Sequence, residues 1–161
     1  MEKFSKNYST SVIIYLALSF TILVLIGVCE LLTALGVKPL AHGLSGQTGV
    51  LRYAFYILGI SMVFSIRFVK AVILGRSFVS EEAAVNALTV SEIVTGALNE
   101  SSALTGFILF MLSGNRLDFY VLISVSLASA VINFPKKEKW EETLRTVREN
   151  VTRNPGSGEN H

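Results

Sequence analysis

The chain has 161 residues, 51% of them hydrophobic and only 16% charged, with a formal net charge of +2 and a mean hydropathy of +0.54. Soluble domains carry about 25% charged residues, so this composition, gathered into long apolar runs, argues against a water-soluble globule and for the membrane class. The basic residues are not interleaved with aromatics on one face, which argues against a nucleic-acid partner.

The first apolar run, VIIYLALSFTILVLIGVCELLTALG, follows a basic amino-terminal stretch. It is too long for the apolar segment of a cleaved signal. LIGVC faintly resembles a lipoprotein signal, but Val28 stands where a small residue is wanted before Cys29. An uncleaved membrane helix over about 11–35 is the expectation. Glu30 falls near its far end and reads as an interfacial residue. With one cysteine, no intrachain disulfide is possible and no redox compartment is indicated.

The connection VKPLAHGLSGQTG is rich in glycine and polar residues and reads as a flexible outer loop. His42 stands alone in it, far from His161, with no ligand spacing to a Cys or carboxylate, so no metal is expected. The second apolar run, GVLRYAFYILGISMVFSIRFVKAVIL, predicts a span over about 49–74. Arg67 and Lys70 near its end are expected to snorkel toward the interface. Either could instead pair with Glu92, which falls at similar depth.

Ser80, Glu81 and Glu82 form a helix start: a capping hydroxyl, then acids against the positive helix end. The third helix is expected to run to about Leu112, with a span over about 83–112. At 1.5 Å per residue it is about 50 Å long, more than a bilayer core of about 30 Å requires. At 100° per residue Glu92, Thr95, Gly96, Asn99, Ser102, Ala103 and Gly106 share one face. Small residues at this spacing let helix backbones approach, and Ser, Thr and Asn can hydrogen-bond across. Glu100 borders that face, about two turns deeper than Glu92. A charge in mid-bilayer costs at least about 2.5–3.5 kcal/mol on insertion scales. A carboxyl escapes part of that by protonating. Two roles stay open for Glu100: a proton- or sodium-binding carboxylate, with Asn99 and Ser102 beside it, or a neutral packing residue held by a hydrogen bond.

LSGNRLD is a tight turn, making the third and fourth helices an antiparallel hairpin. LDFYVLISVSLASAVINF predicts the fourth span, about 117–134, ended by Pro135. Of the 14 Lys and Arg residues, Lys3, Lys6, Arg67, Lys70, Arg76 and the tail basics Lys136, Lys137, Lys139, Arg145, Arg148 and Arg153 fall on one side. Lys38, Arg52 and Arg116 fall on the other. The positive-inside rule then puts both termini in the cytoplasm of a multi-pass protein of the cell (inner or plasma) membrane. Beyond the transmembrane domain (1–135), the tail KKEKWEETLRTVRENVTR places Trp140, Leu144, Val147 and Val151 on one helical stripe. Two roles fit it: an amphipathic helix on the cytoplasmic leaflet, or a docking helix for a cytosolic partner. NPGSGENH reads as a disordered tip.

The fold expected is thus all-α: four transmembrane helices, both termini inside, plus a cytoplasmic amphipathic helix. The segment NESSALTGFILFML resembles the ion-binding helix of rotary-ATPase proteolipids, the c-type subunits. Glu100 matches their ion-binding carboxylate, and Leu104, Gly106 and FILFML match the sequel. Thr105 stands where that family often has Tyr, and Asn99 where it often has Ala. Helices one and two lack the family's glycine-rich partner run. The chain is also similar to small bacterial four-helix membrane proteins with a basic, Trp-containing tail. The resemblance implies a proton or sodium site at Glu100 and a homo-oligomer or another membrane subunit as partner. No phosphate loop, nucleophile elbow, zinc or haem motif is present, so neither an enzyme nor a cofactor is expected. The alternative to an ion-binding subunit is a non-transporting accessory or assembly protein that packs against partner helices.

Overall fold

The computed structural model describes residues 2–37, 48–75, 78 and 80–153. The expected outer loop with His42, the basic residues Lys38 and Arg76, and the expected disordered tip lie outside the described residues. Five helices follow one another: α1 (Glu2–Ala34), α2 (Thr48–Leu74), α3 (Glu81–Ser113), α4 (Arg116–Ile132) and α5 (Lys137–Arg153). No strand occurs among the described residues.

Among the described residues, three stretches are long and apolar enough to cross a membrane: Lys6–Ala34, Gly49–Leu74 and Glu81–Ser113. The helix expected to be the fourth span behaves differently. α4 has 17 residues, about 26 Å of rise, and passes the same test only together with α5 across a bend of 51°. Pro135 causes the break. It has no N–H to donate and disfavours helix in the residue before it. Asn133 closes α4, its Nδ2 donating to the Ser129 carbonyl at 2.9 Å.

The exterior is that of a membrane protein. Tyr53, Ile57, Phe64 and Phe68 on α2 are each at least 70% exposed, and Ile13 and Phe20 on α1 are similarly bare. Soluble monomers rarely expose contiguous apolar patches of this extent. Burial is concentrated on α3, which packs against every other helix.

The caps of α3 form as their residues predict. Ser80, in extended conformation, accepts from the Ala83 N–H at 3.2 Å. At the far end Gly114 adopts φ 71°, and its N–H donates to the Phe110 carbonyl. A positive φ is accessible to glycine without Cβ strain. Asn115 then caps α4 by accepting from the Leu117 N–H. The two helices form the expected hairpin.

Helices α1 to α4 reverse direction from one to the next, so that α1 packs parallel to α3 and the molecule has two ends. One collects the start of α1, the end of α2, the start of α3 and α5. It carries Lys6, Arg67, Lys70 and the α5 basics. The other end carries Arg52 and Arg116.

Candidate functional site on the third helix

All seven residues of the expected α3 face are buried: Glu92, Thr95, Gly96, Asn99, Ser102, Ala103 and Gly106. The glycines are there for close approach. A methyl at Gly106 would sit 2.9 Å from the Leu122 Cβ, and one at Gly96 would sit 2.7 Å from a Leu18 methyl. Gly59 on α2 belongs to the same packing, its missing methyl replaced by a Leu122 methyl of α4. Nothing in the sequence around Gly59 signals this role, which shows only once α4 is seen against it.

Glu92 is 7% exposed, and Lys70 of α2 donates to both of its carboxylate oxygens at 3.3 and 3.4 Å. Of the two basics expected near this depth, Lys70 makes the pair and Arg67 stays exposed. Seven residues on, Asn99 ties three helices together. Its Nδ2 donates to the Tyr15 hydroxyl of α1 at 3.2 Å, and that hydroxyl donates to the Ala130 carbonyl of α4 at 2.8 Å. Ser126 of α4 donates to the Asn99 carbonyl at 2.5 Å. Tyr15 and Ser126 were not legible as partners. A tyrosine or serine within an apolar run has no periodic signature naming what it will meet.

Glu100 takes neither of these routes. It is half-buried on the flank of α3 and makes no hydrogen bond or ion pair among the described residues. Asn99 and Ser102, expected beside its carboxylate, do not bond to it. Asn99 turns to α1. Ser102 lies at the contact with Gly59 of α2. The arrangement therefore separates an occupied inner acid from an unengaged lateral one.

The other end of the bundle is held by two acid–base clusters. Arg116 donates to both oxygens of Glu30 at 2.8 Å, and the Tyr120 hydroxyl donates to the same carboxylate. Asp118, 1% exposed, pairs with Arg52 at 2.6 Å and accepts from the Tyr56 hydroxyl at 2.8 Å. The Arg52 guanidinium also lies 5.8 Å from the Tyr56 ring centre. Glu30 is thus an end-of-helix residue as expected, though a partnered one. The Asp118 cluster was missed, although an acid in the first turn of a short apolar helix was its available signal. No three His, Cys, Asp or Glu side chains converge as metal ligands among the described residues.

The tail stripe has an unexpected destination. Trp140, Leu144 and Val147 are buried against Ala84, Val85 and Leu88 of α3, with Tyr8, Leu74 and Phe78 alongside. Trp140 meets the Tyr8 ring edge-on at 5.5 Å. Arg148 holds Glu81 through two hydrogen bonds of 2.8 and 3.1 Å. The stripe that the sequence offered to lipid or to a cytosolic partner is covered by the chain's own helix ends. The side chain of Val151 lies outside the described residues.

Fold and site together define the class: a helical membrane protein with a polar seam through its bundle and acid–base pairs tying its helix ends. No protein-family model matches the chain, and no curated protein or solved structure matches it.

Proposed function

We propose that this chain is a polytopic protein of the cell membrane in which Glu100 binds a proton or a sodium ion, as the carboxylate of a proteolipid-like subunit does. The observation that carries the reading is the Glu100 carboxylate itself: half-buried in a long apolar helix, with no partner among the described residues. An ionisable group at such a depth is costly and is a functional-site candidate by default. The protein serves no catalytic chemistry and needs no cofactor. Asn99 and Ser102 face other helices and do not bond to Glu100, so the remaining oxygen ligands come from the backbone or from a neighbouring copy. A homo-oligomer or a further membrane subunit completes the site.

In this reading α4 is the fourth span, its passage completed by the turn through Pro135. Both termini and α5 are cytoplasmic. The support is charge: the α5 end gathers ten described basic residues against two at the other, as the positive-inside rule requires.

A second reading is a non-transporting accessory protein. The bare aromatic face of α2 at Tyr53, Phe64 and Phe68 favours it as a packing surface for partner helices. The two are separated by infrared difference spectra of the full chain in lipid with and without sodium and across pH. Ion binding at Glu100 gives carboxyl bands that change with ion or pH, disappear in Glu100→Ala and persist in Glu100→Asp. Spectra unchanged by Glu100→Ala leave the accessory reading.

A further inference from the structure

Ser91, Thr95, Asn99 and Ser102 of α3 are each no more than 1% exposed, and together they form a polar strip through the bundle. Three of their oxygens have no hydrogen-bond partner among the described residues: Ser91 Oγ, Asn99 Oδ1 and Ser102 Oγ. Such atoms are rare in native interiors, because each loses its hydration without replacement. The usual remedy is buried water, which makes about three hydrogen bonds to groups of this kind. These atoms are not scattered. They fall on one helix within eleven residues, about 16 Å of rise, and the Tyr15 and Ser126 hydroxyls border the same stretch.

The strip has one polar end and one apolar end. Toward α5 it meets Glu92 and Lys70, and Lys70 keeps 24% of its side chain exposed. In the opposite direction the polar run stops at Ser102. Beyond it Ala103, Leu109, Phe119 and Leu122 are all fully buried. Thr105, just past that point, is already satisfied by the Ser101 carbonyl.

We infer that this strip is a water-binding path open from the α5 end only, running from the Lys70–Glu92 pair to Asn99 and Ser102 and closed beyond them by apolar side chains. It ends level with Glu100. What it delivers there, a proton or sodium ion, rests on the function proposed above. The water path itself rests on the strip alone.

The test uses the full chain in sealed, oriented vesicles, with Cys29→Ala removing the one native thiol. Ser102→Cys and Leu109→Cys are exposed to a small, membrane-impermeant cationic methanethiosulfonate reagent from each side. The path predicts that Ser102→Cys reacts from the α5 side several-fold faster than from the other, and that Leu109→Cys reacts from neither. Should the Cys29→Ala background not fold, radiolytic hydroxyl footprinting of the unmodified chain replaces it. Tyr15 should then be modified several-fold faster than Phe119, although both are buried. The path is overturned if Ser102→Cys is inert from both sides, reacts mainly from the side opposite α5, or reacts together with Leu109→Cys. Equal protection of Tyr15 and Phe119 overturns it as well. Reactive Ser102→Cys with sodium- and pH-insensitive Glu100 spectra removes the ion-binding reading and leaves the path. Ion-sensitive Glu100 with an inert strip does the reverse.

Discussion

Two faces of one helix treat a glutamate in opposite ways. On the packed face of α3, Glu92 is buried and held by Lys70. On the flank, eight residues later, Glu100 is half-buried and held by nothing among the described residues. Eight residues at 100° leave the two side chains about 80° apart around the axis. That rotation decides whether a neighbouring helix covers the carboxylate. The comparison teaches that depth in a bundle does not by itself assign a carboxylate its role. A paired acid ties helices together, whereas an unpaired one on the flank is left for something outside the fold.

The comparison is sharpened most by stranding the inner acid. Lys70→Met leaves the Glu92 carboxylate buried and unpaired, and breaking such a pair costs about 3 kcal/mol, near the low end of the buried range because Lys70 is 24% exposed. The detergent-induced unfolding midpoint should fall accordingly, and the double variant Lys70→Met/Glu92→Gln should recover most of the loss. If the single variant unfolds like the parent, Glu92 is not held as described.

Next in size comes the close packing of α3 against α4, farther along the same face. Gly106→Ala pushes a methyl to 2.9 Å from the Leu122 Cβ and should destabilise by about 2 kcal/mol, as overpacking does. Gly27→Ala, where nothing lies within 4 Å, is its control and should be neutral or slightly stabilising. Equal behaviour of the two glycines would break the claim that one face of α3 is closely packed.

Tyr15→Phe removes the hydroxyl between Asn99 and Ala130. The expected loss is about 1 kcal/mol, the scale of interhelical hydrogen bonds in membranes, read as the same midpoint shift. The smallest effect belongs to the flank. Glu100→Gln should change stability by less than about 0.5 kcal/mol, since no internal contact is lost. A drop as large as that of Lys70→Met would mean that Glu100 is a structural residue after all.

The packed face of α3 was readable because helical periodicity sorts residues by direction, and its glycines, serines and Asn99 all point one way. The cap at Ser80 and the turn at Gly114 were readable because they depend on neighbours in sequence. The Lys70–Glu92 pair was readable as an option, since both residues lie at the end nearest α5. What periodicity cannot name is the object that covers a face. The Trp140 stripe was visible, yet its cover is α3, some fifty residues upstream. Tyr15 to Asn99 and Arg52 to Asp118 are likewise joined across two helices, and nothing local records them. The shortness of α4 was half legible. Pro135 marked its end, but Phe134 carried the apolar run past Ile132, where the helix that forms stops.

The most direct test of the contrast is labelling of the lipid-embedded protein with a hydrophobic carbodiimide, followed by mass mapping of both glutamates. Carbodiimides attack protonated carboxyls in apolar surroundings. The account predicts modification at Glu100, suppressed by sodium or high pH, with Glu92 shielded by Lys70 and the helices around it. Modification of Glu92 with Glu100 untouched, while exposed control carboxyls react, would contradict it.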